Sequence, residues 1–168
     1  PEGYSGNRIN GLGESEVRRP TMVWWTPDME AAEFGPAQQW FYQHEQPDEE
    51  MLELRAERHK LVAQPLPEVA KNRVERTAGE WTAELDQFVE SGDCEMTGVA
   101  RLRPEWVFEH EETGLSTVIM LGVQHDYQEL RHAPALRGGK DVTRQYGRAA
   151  AASKKVAAWL REQGWDWP

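Results

Sequence analysis

The sequence predicts an α+β protein, layered in the manner of an α/β sandwich and preceded by an irregular, aromatic-rich extension. Three observations carry this. From Trp81 onward the chain alternates helix-period and strand-like segments in the order helix–strand–helix–strand–loop–helix, as packed mixed layers require. Residues 115–124, LSTVIMLGVQ, form an uncharged apolar run whose lack of alternation fits a central strand covered on both faces. Before residue 80 the aromatics are broken up by prolines, which forbid a long helix.

Residues 1–20, PEGYSGNRINGLGESEVRRP, are rich in Gly, Pro and Ser without an apolar period. They predict an extended arm, ordered only by packing on something else. The next segment carries Trp24, Trp25, Phe34, Trp40, Phe41 and Tyr42 between Pro27, Pro36 and Pro47. It predicts a short strand at 21–25 and aromatic-rich turns, packed either on themselves or on a neighbouring domain or flat ligand. Asp48 then caps a helix over 49–63, with Met51, Leu54, Leu61 and Val62 on one side. Its acidic start, Asp48-Glu49-Glu50, complements the helix dipole. Pro65 and Pro67 end that helix, and 64–79 reads as a linker with a short helical piece. The organisation expected is therefore an extension with one helix over 1–79 and the start of an α/β domain over 80–168, reading as truncated at its end.

Within the second part, WTAELDQFVESG predicts a helix capped by Thr82, burying Leu85, Phe88 and Val89 and stopping near Gly92. Residues 94–102 predict a strand with Met96, Gly98 and Ala100 on one face and Thr97, Val99 and Arg101 on the other. Pro104 opens a short helix in 103–110. Residues 125–140 predict a polar, turn-rich loop. A helix over 141–163 follows, with a stripe of Val142, Tyr146, Ala149, Ala150, Ser153, Val156, Ala157 and Leu160, closed by Gly164. Its small residues imply close packing.

Composition narrows the function classes. The 168 residues carry a net charge of −10, with 29 acidic against 19 basic residues, which disfavours nucleic acid and anionic membrane as partners. No stretch approaches the roughly 20 apolar residues of a membrane helix. The Arg18-Arg19 pair precedes no apolar export segment. The single cysteine, Cys94, excludes an internal disulfide and suits a reducing cytoplasm.

Several chemistries find no support. His44, His59, His110, His125 and His132 never pair at helical spacing around a carboxylate, and Cys94 has no cysteine partner. Neither a structural zinc nor a self-contained iron–sulfur cluster is expected. No nucleophile elbow or phosphate loop occurs, and GLGESE at 11–16 lacks the strand a dinucleotide fingerprint needs. Trp24-Trp25 and Trp165/Trp167 suit either a planar ligand or a core. His125-Asp126-Tyr127 stands where the apolar strand ends, and ligands gather at the carboxyl ends of strands. Two readings of this triplet stay open: a ligand edge, or a turn capped by Asp126 with Tyr127 against the sheet.

The stretches CEMTGVARLRPEWVFE, STVIMLGVQHDYQELRHAP and YGRAAAASKKVAAWLREQGW resemble the N-terminal part of the corrinoid- and iron–sulfur-dependent reductases, the reductive dehalogenases and related epoxyqueuosine reductases. The shared features are a G-V-A-R-L type first strand, an apolar second strand running into D-Y, and a Tyr-containing helix ending W-L-R-x-x-G. They cover about half the chain. The aromatic extension and the lack of an export segment resemble the cytoplasmic, catabolic dehalogenases. Gln128 replaces a histidine often found after D-Y in the queuosine branch.

The resemblance implies a partial helix–strand–helix–strand–helix cobalamin-binding domain. In it His125, Asp126, Tyr127, Gln128 and Tyr146 line the corrinoid. The family's cysteines of the form C-x-x-C-x-x-C-x-x-x-C-P and its glycine-rich segment are not in this sequence. Both [4Fe–4S] clusters and the catalytic residues are therefore expected in the remainder of the same polypeptide, with an organohalide substrate and an external electron donor. Two alternatives are a non-enzymatic corrinoid-binding module and an epoxyqueuosine-reductase-like fragment. A third is an acidic interaction domain using its tryptophans as a partner surface.

Overall fold

A computed structural model of the chain describes residues 19–20, 40 and 47–166. Residues 1–18 of the expected arm over 1–20, the strand at 21–25, the turns around Phe34 and Phe41, and Trp167 lie outside the described residues. Helix α1 spans Glu49–Ala63, α2 Ala78–Glu90, strand β1 Met96–Arg101, a 3₁₀ turn Pro104–Trp106, β2 Thr117–Gly122, α3 Tyr127–Leu130 and α4 Leu136–Glu162. The described residues thus form a mixed α+β structure of four α-helices and one two-stranded sheet.

The residues from 47 to 99 and 119 to 166 form one compact unit, and 100–118 belong with Arg19, Pro20 and Trp40 to a second. In the first unit α4 is the central element, packed most extensively against α1 and also against α2 and α3. Asp48 caps α1, its carboxylate accepting from the Met51 N–H at 3.1 Å. Buried Met51 lies over Gly139 of α4, where an added Cβ would come 3.6 Å from the methionine methyl. Lys140 bridges Asp48 at 2.5 Å and Glu50 at 2.7 Å, and Arg144 joins Glu50 at 3.0 Å. The ends of α1 and α4 are thereby tied by charge as well as by packing.

The cap of α2 is Thr77, five residues before the expected one. Thr77 Oγ1 accepts from the Glu80 N–H at 3.3 Å, while a Glu80 carboxylate oxygen accepts from the Thr77 N–H at 2.7 Å. This reciprocal box outcompetes Thr82, which sits inside the helix and donates to the Ala78 carbonyl. Leu85 is buried, and Phe88 meets Trp159 of α4 edge-on at 5.7 Å. Gly92, at φ +78°, turns the chain out of the helix.

The segment between α1 and α2 contains no helical piece. It runs beside the end of α4, where the Ala70 and Val74 N–H groups donate to the Arg161 and Gln163 carbonyls at 2.8 and 2.9 Å. Trp165 packs edge-on against Trp81 at 6.3 Å, carries the Arg73 guanidinium 4.2 Å over its ring and donates to the Val74 carbonyl. Trp165 is half-buried in these contacts.

The strands are antiparallel: the Glu95 N–H donates to Gly122 O and the Leu102 N–H to Ser116 O. From 95 to 102 is one residue more than from 116 to 122, so the first strand carries one extra residue, a bulge. β2 is not covered on both faces among the described residues, since Met120 is 60% exposed. A continuous apolar run cannot reveal how many strands or helices surround it. In the second unit, Arg19 fastens to the 3₁₀ region. Its guanidinium donates to the Val107, Phe108 and Glu111 carbonyls and pairs with Glu112, and the Glu109 N–H donates to Pro20 O.

Candidate functional site

Asp141 is the most deeply buried charged residue described, 1% exposed on the face of α4 turned toward the end of β2. Its Oδ2 lies 2.9 Å from His125 Nδ1, and its Oδ1 accepts from Gln145 Nε2 at 2.9 Å. The backbone N–H of Asp126 adds a favourable electrostatic contribution. Beyond Gln145 the contacts continue. Arg148 donates to Gln145 Oε1 at 2.9 Å and to Glu95 Oε1 at 2.6 Å. Glu95 Oε2 in turn accepts from the Gln124 N–H at 2.8 Å. Since Gln124 precedes His125, the polar contacts close into a ring joining the start of β1, the end of β2 and one face of α4.

The geometry follows from helical spacing. Asp141, Gln145 and Arg148 stand at i, i+4 and i+7, which aligns them in one row. That row continues the buried positions Ala152 and Val156. The helix therefore presents a stripe that is polar near the end of β2 and apolar farther on.

Electrostatics agree with this arrangement. Burial pushes the Asp141 carboxyl upward, but hydrogen bonds from Gln145 and His125, with the Asp126 N–H, outweigh it and hold the group below the ordinary aspartate value. Arg148, and then the Gln124 N–H, hold Glu95 below its ordinary value. An ionised carboxylate only accepts, so Nδ1 of His125 carries the hydrogen and Nε2 is the acceptor of the neutral ring. The His125 side chain is 40% exposed, and Nε2 meets no partner among the described residues.

The residues expected at the site divide into two groups. His125 joins the ring through Asp141. Asp126 caps α3, its side chain accepting from the Gln128 N–H at 2.8 Å, so the capped-turn reading holds for that side chain. Tyr127 is 70% exposed rather than laid against the sheet. Gln128 is exposed and accepts from Arg131 at 3.3 Å. Tyr146 stands apart: it lies about 140° round α4 from Asp141, 60% exposed, with the Arg58 guanidinium of α1 5.8 Å from its ring.

Sequence reading missed Asp141, Gln145, Arg148 and Glu95. It began the last helix at 141 and traced an apolar stripe through Val142 and Tyr146, whereas α4 begins at Leu136 and buries Gly138, Asp141, Thr143 and Gln145. The available signal was the polar row at 141, 145 and 148 in phase with Ala152 and Val156. Thr143 is satisfied locally, donating to the Gly139 carbonyl at 2.9 Å. Cys94 is buried, and desolvation, then Asp93 and Glu95, push its thiol upward.

Among the described residues no group of three or more His, Cys, Asp or Glu side chains is placed to hold a metal ion. Nor is any helix there long and apolar enough to cross a membrane. No family model, curated protein or solved structure matches the chain.

Proposed function

We propose that this chain supplies part of the corrinoid-facing wall of a cobalamin-dependent reductive dehalogenase. The [4Fe–4S] clusters, catalytic residues and organohalide site would belong to the remainder of a longer cytoplasmic polypeptide. The observation that supports this reading is His125: its Nδ1 is fixed 2.9 Å from buried Asp141 at the carboxyl end of β2, which leaves Nε2 outward.

A corrin is a broad, nearly flat ring fringed with amide arms, so it needs an open edge carrying donors and acceptors. His125, Asp126, Tyr127 and Gln128 provide such an edge, all exposed and consecutive. They fit the rim of a corrin site rather than an enclosing pocket. Tyr146, turned toward α1, does not join that rim.

Bound cobalamin would supply the reduced cobalt centre that takes halogen from carbon. The residues of this chain would hold and orient it. Asp141 and Gln145 fix the imidazole, and the Asp126 cap sets the start of α3. The Glu95–Arg148 pair locks the strand ends to α4.

Titration of the chain with cobalamin, followed by absorbance and calorimetry, tests the reading. Corrinoid binding is expected, and Asp126→Ala in the full-length protein should loosen it. Absence of both corrinoid and iron from the full-length gene product would sink it.

A further inference from the structure

Helices α1 and α4 are tied together at both ends of their contact and part between the ties. At one end Met51 lies against Gly139, and Lys140 bridges Asp48 and Glu50. At the other, Lys154 Nζ donates to the Val62 carbonyl at 3.1 Å and to that of Gln64. Between them lies a cavity of about 350 Å³, lined from α1 by Leu54, Glu57, Arg58 and Leu61 and from α4 by Arg144 and Gly147. That volume falls at the small end of the range for ligand pockets, about 300–1,000 Å³.

Gly147 keeps this space open. Of the three glycines in α4, Gly138 is crowded by the Ala133 backbone and Gly139 lies against Met51. A Cβ added to Gly147 would meet nothing within 4 Å. A glycine inside a helix costs stability relative to alanine, and close packing does not account for this one. An open cavity floor does.

The walls have a definite chemistry. Leu54, Arg58 and Leu61 stand at i, i+4 and i+7, in one row along α1. A half-buried guanidinium thus lies between two half-buried leucines. Among the described residues Arg58 meets no carboxylate; its guanidinium lies 5.8 Å from the Tyr146 ring. Arg144 adds a second guanidinium, whose ion-pair partner is Glu50 at 3.0 Å. Glu57 is exposed and can turn to water. A guanidinium is always charged, and its fork of donors matches a carboxylate in paired hydrogen bonds.

We propose that this cavity binds a small aliphatic monocarboxylate, its head on Arg58 and Arg144 and its tail between Leu54, Leu61 and Gly147. Gly147 lies about 120° round α4 from Asp141, so the site is separate from the His125 edge. The inference does not rest on the corrinoid-binding reading.

The test uses the 168-residue chain with sodium hexanoate, and with hexylammonium chloride, the same tail with the opposite charge. Backbone amide and arginine side-chain signals are followed by ¹H–¹⁵N NMR. Hexanoate should give saturable shifts centred on 54–61 and 143–147, with a Kd on the order of 1 mM, and hexylammonium none. Arg58→Gln, which removes the unpaired cation, should weaken hexanoate binding by about tenfold. Gly147→Leu fills the cavity without touching any charge and should abolish binding with circular dichroism unchanged. Arg131→Gln, a cation beyond α3, should leave the affinity as it is. Shifts that do not saturate, that hexylammonium reproduces, or that persist in Gly147→Leu overturn the inference and leave the corrinoid-binding reading untouched. Should Gly147→Leu not fold, full affinity in Arg58→Gln is enough to overturn it.

Discussion

Replacing Asp141 by alanine removes the acceptor shared by two donors, His125 Nδ1 and Gln145 Nε2. Hydrogen bonds to a charged group contribute about 1.5–3 kcal/mol each when measured singly. Their sum overstates the loss, because the two donors do not share one fate. His125 sits in an exposed loop and can turn to water. Gln145 cannot, being 9% exposed, and a buried donor left unpaired costs about 1–3 kcal/mol. Against this, the alanine variant no longer has to desolvate a carboxylate. The net expectation for Asp141→Ala is a loss of about 2–4 kcal/mol, or roughly 5–15 °C in melting temperature for a domain of this size. Asp141→Asn keeps one acceptor for Gln145 and should lose only about 1 kcal/mol.

Urea unfolding followed by tryptophan fluorescence, with a shared slope for all variants, measures both. A Gln145→Ala, Asp141→Ala double variant should be less destabilised than the sum of the singles, because the two residues share one bond. If Asp141→Ala unfolds within about 0.5 kcal/mol of the parent, the polar ring contributes nothing and the reasoning fails.

Gly164 stands at φ +80°, and a Cβ there would meet Asn72 O at 2.5 Å and Arg73 Cα at 2.7 Å. Gly164→Ala should lose about 2–4 kcal/mol, from left-handed strain plus displaced backbone, and quicken proteolysis within 65–76; unchanged cleavage would count against it. Cys94, buried with its thiol pushed up by desolvation, should react with a disulfide reagent only as fast as the chain opens, and fast labelling of the native protein would contradict the packing. Glu95 and Asp141 both have folded values below their ordinary ones, so each contributes stability above the unfolded value that is lost as pH falls through the folded one. Unfolding free energy should be nearly level from about pH 7 to pH 5 and decline below about pH 4; a level profile to about pH 3 would refute this assignment.

Much of the scaffold was legible because its signals are local. An aspartate before Glu49-Glu50 and two prolines after Gln64 delimit α1, and the structure places it at Glu49–Ala63. Pro104 opens a single turn and Gly92 closes a helix. The misreadings arose where one local signal competes with another. Thr77 and Thr82 are both capping residues, but only Thr77 has a glutamate three positions on. Gly138 and Gly139 look like loop residues by propensity. At Gly138 the backbone of Ala133 leaves little room, an added Cβ coming 3.1 Å from Ala133 N, while Gly139 lies in ordinary contact with Met51.

The candidate site was half legible for a different physical reason. A strand that ends in His125-Asp126-Tyr127 announces itself, because apolar residues give way abruptly to groups that donate, accept and titrate. The partner of His125 does not, since Asp141 lies 16 residues away in a helix whose phase was read from its apolar positions. Hydrophobic periodicity treats every polar residue as a vote for solvent. Here that vote is wrong at Asp141 and Gln145, which satisfy each other and, with half-exposed Arg148, the strand ends. A buried polar network is stable only when complete, so its members are recognised by mutual spacing rather than singly. Under the proposed corrinoid reading this matters for function as much as for folding. The helix that packs α1 with its glycines also holds the carboxylate behind His125, so changes along α4 should be felt at the exposed edge.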